Sequence, residues 1–224
     1  MAYSNPSDEE IQRRVLDELK WDPEVEPTDV GVAVKNGIVT LTGTVASYAM
    51  KFAAERAAKR VDGVKAVAND IQVKLPFEKT RTDTDIAEAA VNALKWDVEV
   101  PADRIKVTVH NGWVTLEGDV EWNFEREAAE RDVRYLTGVK GVTNLIKVVG
   151  LRLKPTPSEV KTRIEDALTR SAELDAQRIQ VDVKDGKVIL RGSVRSWAER
   201  EEAEDAAWSA PGVTDVEDQI VVAP

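Results

Sequence analysis

Val30-Gly31-Val32-Ala33-Val34-Lys35-Asn36-Gly37-Ile38-Val39-Thr40-Leu41-Thr42-Gly43-Thr44-Val45 decides the fold. Apolar residues alternate with small or polar ones on both sides of Asn36-Gly37. Period-two alternation flanking Asn-Gly predicts a β-hairpin, because both turn residues must take positive φ. The pattern then recurs. Asn36-Gly37, Gly43 and Asp62-Gly63-Val64 return as Asn111-Gly112, Gly118 and Thr137-Gly138-Val139, and again as Asp185-Gly186, Gly192 and Pro211-Gly212-Val213. The offset is 75 residues and then 74, with no internal gap, so the chain is three copies of one unit.

Each hairpin stands between two helical patterns. Ahead of the first, Ile11, Val15, Leu16 and Leu19 share one helical face, with Ser7 and Glu10 spaced as a capping box. Copy two offers Asp83, Ile86, Ala90, Val91 and Leu94. Copy three offers Ser158 after Pro157, then Val160, Ile164 and Leu168. Trp21 and Trp96 follow this helix at equivalent positions and are expected to close one end of the core. A loop with Pro23 and Pro27 leads to the first hairpin. Behind the hairpins, alanine-, glutamate- and arginine-rich segments start near Ser47, Trp122 and Ser196 and predict a second helix. It ends before Gly63, Gly138 and Gly212. A last strand carries Val67, Ile71 and Val73 and their equivalents. Gly43, Gly118 and Gly192 fall on the inward strand face, where close approach of a helix backbone is expected.

The order is therefore αββαβ. The chain reads as α+β: three tandem modules at 7–75, 82–150 and 156–224, each a small three-stranded mixed sheet with two helices on one face. Short linkers with Pro76, Pro155 and Pro157 join them. A core of this size is marginal alone, so the modules are expected to touch.

Composition narrows the chemistry. The 224 residues include no cysteine, which removes disulfides, thiolate nucleophiles and cysteine metal sites. The net charge of −10 repels a phosphate backbone and argues against nucleic-acid binding. The first copy is nearly balanced in charge and the third plainly acidic. No apolar run approaches the roughly 18 residues of a membrane span. Residues 1–10 lack the basic start, apolar core and cleavage site of a secretory leader, so a cytoplasmic location is expected, periplasmic only if a leader has been removed.

The hairpin motif Ile38-Val39-Thr40-Leu41-Thr42-Gly43-Thr44-Val45, with Gly63-Val64-Lys65-Ala66-Val67-Ala68-Asn69-Asp70-Ile71, resembles the BON domain. Copy two repeats it through Trp113–Val120 and Gly138–Ile146. Copy three departs, with Ile189 for the threonine and Glu217 for the asparagine, yet keeps its glycines. The resemblance covers nearly the whole chain. It implies an αββαβ fold without a catalytic role, association with phospholipid surfaces, and a part in osmotic stress or envelope maintenance. It also implies lipid contact at the start of the second helix.

No constellation of side chains points to an enzyme, a metal or a cofactor. His110 is the single histidine and falls on the outward strand face. The acidic run Glu199, Glu201, Glu202, Glu204 and Asp205 lacks calcium-loop spacing and reads as a solvated face. The aromatics are more specific. Tyr48, Trp122, Phe124 and Trp197 gather where hairpin passes into second helix, and Lys51, Arg56, Lys59 and Arg60 give that helix a basic face in copy one. Tyr48, Lys51, Lys59, Arg60, Trp122, Phe124 and Trp197 are thus the candidate lipid contacts, with an anionic phospholipid surface as expected partner. The alternative is a cation-responsive (potassium) or protein-binding module, using the acidic copies.

Overall fold

The computed structural model describes residues 6–25, 30–150, 155–171 and 176–223. Pro27 and part of the second linker lie outside the described residues. Module one runs α1 (Asp8–Trp21), β1 (Val30–Lys35), β2 (Ile38–Val45), α2 (Tyr48–Lys59), β3 (Ala66–Asn69) and β4 (Gln72–Val73). Module two runs α3 (Asp83–Trp96), β5 (Ile105–His110), β6 (Trp113–Val120), α4 (Asn123–Arg134) and β7 (Gly141–Val148). Module three runs α5 (Pro157–Arg170), β8 (Ile179–Lys184), β9 (Lys187–Val194), α6 (Trp197–Trp208) and β10 (Asp215–Val222). The fold is the expected α+β, repeated three times.

In every sheet the hairpin pairs antiparallel, and its second strand pairs in parallel with the last strand. Asn36, Asn111 and Asp185 sit at φ 55°, 52° and 50°, each followed by a glycine of positive φ. Both central residues are therefore left-handed, as the predicted turn requires. Val39, Leu41 and Val45 are buried, and so are their counterparts Val114, Leu116, Val120, Val188, Leu190 and Val194. The helices cover that face.

The leading helices bury Ile11, Val15 and Leu19; Ile86, Ala90 and Leu94; and Val160, Ile164 and Leu168. Ser7 and Glu10 form the capping box. In copy three the cap is Thr156 rather than Ser158, with Pro157 in the first turn, where its missing N–H costs nothing.

Three further expectations are corrected. Trp21 and Trp96 do not close the core: they are 83% and 89% exposed. Each follows the last buried leucine by two residues, about 200° around the helix, and so points to the opposite side. The glycines on the second strands make room for backbone, but not for a helix. A Cβ on Gly118 or Gly192 would meet the carbonyl oxygen of Arg104 or Arg178, just before the first strand, at 2.1 or 1.9 Å. Finally, Asp218, not Glu217, occupies the asparagine position, since Asn69, Asn144 and Asp218 pair with Leu41, Leu116 and Leu190.

That substitution changes a bond. Asn69 and Asn144 donate to the carbonyls of Lys51 and Arg126 and to Glu55 and Glu130 on the second helix. Asp218 has no N–H to donate, and instead accepts from Arg200 of α6. The strand-to-helix tie survives with donor and acceptor exchanged.

Candidate functional site

The second helices of the three modules meet one another. Arg134, near the end of α4, lies 3.4 Å from the centre of the Phe52 ring in the first half of α2. Arg126, in the first half of α4, lies 4.7 Å from the Trp208 ring at the end of α6. Lys59, at the end of α2, lies 5.5 Å from Trp197 at the start of α6. Each contact joins the front half of one helix to the rear of another, always in the same sense, and the third returns to the first. Lys59, Arg134 and Trp208 are equivalent by the repeat offset. The modules therefore close as a pseudo-threefold unit.

This closure engages much of the predicted site. Tyr48 packs against the core of modules two and three, and burial pushes its hydroxyl pKa up. Trp197 meets both Lys59 and Arg200. Lys59 also pairs with Glu55 at 3.0 Å. Arg60 turns away to the leading helix, donating to Glu18 at 2.7 Å and to buried Asp22 at 2.9 Å. Arg56 pairs with Glu24 at 2.9 Å. Lys51 is half-buried on α2. Trp122 and Phe124 stack with their centroids 6.4 Å apart, and Phe124 is 51% exposed. The structure thus joins Lys59 to Trp197 and Trp122 to Phe124, but does not gather the seven residues into one patch. The basic face of α2 is largely neutralised by carboxylates of its own module.

More open aromatics lie elsewhere: Phe77 in the first linker is 92% exposed, and two tryptophans stand nearly as far out. Trp21 and Trp96, with Val98 at 99% exposure beside the second, stand at the ends of α1 and α3. The sequence held the signal: they fall off the stripe set by Leu19 and Leu94. No repeating pattern marks Phe52 or Trp208: the other copies hold Glu127 and Glu201 at the position of Phe52, and Lys59 and Arg134 at that of Trp208.

His110 is exposed and lies 3.0 Å from the Asn111 amide of its own turn. Among the described residues no group of three or more histidines, aspartates and glutamates could hold a metal ion. Among them no helix is long and apolar enough to cross a membrane.

Known proteins resemble the chain over about the length of two modules. Osmotically-inducible protein Y of Escherichia coli is 31% identical over 144 residues, 62% of this chain and 72% of that one. A 21 kDa hemolysin of Actinobacillus pleuropneumoniae is 30% identical over 66% of this chain and 76% of its own. Outer membrane lipoprotein DolP of Haemophilus influenzae is 29% identical over 63% and 72%. The expected cytoplasmic location does not stand beside a relative that is an outer membrane lipoprotein. The BON domain matches residues 7–74, 82–150 and 157–224, and the chain belongs to the BON domain family.

Proposed function

We propose that the protein is a non-enzymatic stress protein that associates with phospholipid surfaces through exposed tryptophans. The carrying observation is the pair Trp21 and Trp96, equivalent residues left almost fully in water. An indole suits the bilayer interface, with its apolar body among acyl chains and its N–H among headgroups. The threefold arrangement supports the reading, because rotation about one axis keeps equivalent positions at one height. The relatives add to it: one is osmotically inducible and another an outer membrane lipoprotein.

Charge has the smaller part. The net charge of −10 opposes anionic headgroups, and Arg56, Lys59 and Arg60 already have carboxylate partners. Binding by tryptophan insertion is then only weakly sensitive to salt. Flotation with phosphatidylglycerol–phosphatidylethanolamine liposomes tests this. The Trp21→Ala, Trp96→Ala double variant should bind at least about tenfold more weakly. The Lys51→Ala, Lys59→Ala, Arg60→Ala variant should float nearly as the parent does. The reverse order would return the contact to the start of the second helix, and no flotation of the parent would end the lipid reading.

A further inference from the structure

The chain holds two Asn-Gly pairs, Asn36-Gly37 and Asn111-Gly112, and each forms a hairpin turn. Asparagine before glycine is chemically labile, because the unhindered glycine nitrogen can reach the asparagine side chain. In that reaction the Gly37 nitrogen loses its proton and attacks Cγ of Asn36, closing a succinimide ring. The bond from Cγ to Nδ2 breaks, and that nitrogen leaves with the proton as ammonia. Water then opens the ring to aspartate or isoaspartate.

First, the attacking nitrogens are engaged. The Gly37 N–H donates to Oδ1 of Asp8 at 2.9 Å, and the Gly112 N–H to Oδ1 of Asp83 at 2.8 Å. A carboxylate there opposes loss of the proton, since an amide anion would form beside a fixed negative charge. Second, the turns are held from several sides. The other carboxylate oxygen accepts from the amide of Asn36 or Asn111, and the carbonyls of Gly37 and Gly112 accept from Lys65 and Lys140 at 2.9 Å. Both glycines are buried. Third, clamp and amide disappear together. The position of Asp8 and Asp83 is Pro157 in copy three, where Gly186 is less covered and the turn residue is Asp185. An ionised carboxylate is a poor electrophile and has no ammonia to lose. The labile amide therefore stands only where a carboxylate covers it.

We propose that Asn36 and Asn111 are deamidation sites kept closed by Asp8 and Asp83. Opening of either clamp is then written into the chain as a covalent change. Aspartate keeps the turn, as Asp185 does at φ 50°. Isoaspartate runs the chain through its side-chain carboxyl and adds a main-chain carbon to a two-residue turn, whose register sets Val39 and Leu41 inward. Neither site touches the tryptophan pair or rests on lipid binding.

Peptide mapping of the full chain by mass spectrometry, after incubation in warm, mildly alkaline buffer, decides it. Asp185→Asn puts an amide in the turn that has no clamp, at an exposed site. Position 185 should then deamidate about tenfold faster than Asn36 and Asn111 of the same molecule. Asp8→Ala should raise the rate at Asn36 by about the same factor and leave Asn111 unchanged. Equal rates at all three turns of the Asp185→Asn variant would overturn the proposal. So would slower deamidation of Asn36 in Asp8→Ala, which would make the carboxylate a general base for the reaction.

Discussion

Module one and the pair formed by modules two and three share a fold but differ in how their cores end. The buried side chains of module one, from Ile11 to Ile71, form a cluster of their own. Those of modules two and three run together into a single cluster, with Trp208 inside it and Tyr48 of module one resting against it. The difference comes down largely to one repeated position. Where α2 ends in Lys59 and α4 in Arg134, α6 ends in Trp208, 8% exposed. A cation at that position touches a neighbouring ring and keeps a glutamate partner one turn back on its own helix, Glu55 for Lys59 and Glu130 for Arg134. A tryptophan carries the core across the boundary. The same backbone can therefore dock or fuse, depending on one side chain.

The largest effect should follow from removing that side chain. Trp208→Ala deletes a buried indole at the seam and should cost about 3–5 kcal/mol. Urea unfolding followed by hydrogen exchange should show protection lost together in modules two and three, with α1, β1 and β2 retained. Leu41→Ala, at an equally buried site in module one, should cost about 2–5 kcal/mol and expose module one alone. Loss of protection throughout the chain in both variants would show that the three modules unfold as a single unit, and would break the distinction.

A second contrast lies between the leading and second helices of modules one and two. In module one, Asp22 is 6% exposed and held by Arg60, with Arg56 3.8 Å away. In module two, Tyr135 replaces Arg60, and Asp132 replaces a buried alanine, Ala57. Asp97 keeps Arg131 at 3.3 Å but now faces Asp132, whose Oδ2 is buried without a donor. Burial first, then Asp97, push the Asp132 pKa up to about 6. A proton on Asp132 can be shared with Asp97, and ionisation takes it away. An acid whose pKa is raised by folding stabilises the folded state below its unfolded value and loses that contribution as pH rises through the folded one. Module two should therefore lose stability between about pH 4 and pH 6, on the order of 1–2 kcal/mol after solvent screening. Asp132→Ala should flatten that slope in urea midpoints measured across the interval. An unchanged slope would place the titration elsewhere.

The sequence carried the hairpins, the repeat and the leading helices plainly, because each rests on a local rule: two left-handed turn residues, a constant offset, a stripe every three or four residues. Residue type draws Trp21 and Trp96 toward the core, whereas their angle from Leu19 and Leu94 sets them on the opposite side of the helix. The exchange at Asp218 was hidden by a one-residue slip that strand pairing corrects. The seam itself was not legible. Phe52–Arg134, Arg126–Trp208 and Lys59–Trp197 draw on residues of different type at different helix positions, so no pattern along the chain marks them as partners.

The smallest effect concerns how each hairpin turn is held. Both oxygens of the Asp8 carboxylate accept from the turn amides of Asn36 and Gly37, at 2.7 and 2.9 Å. Asp83 does the same for Asn111 and Gly112, at 2.8 Å to each. The equivalent position in copy three is Pro157, which has no acceptor to offer the amides of Asp185 and Gly186. Asp8→Ala should accelerate hydrogen exchange at Asn36 and Gly37 by about tenfold and leave the turn of module three unchanged. The two backbone bonds hold the Asp8 carboxyl below its ordinary range. A lowered pKa gives stability at neutral pH that is lost as pH falls through the folded value, the opposite sense to Asp132. Acidification should thus tighten module two first, down to about pH 4, and then release the turns of modules one and two together. If the amides of Asp185 and Gly186 exchange as slowly as those of Asn36 and Gly37 throughout, the strand pairing alone holds the turns, and the carboxylate clamp is incidental.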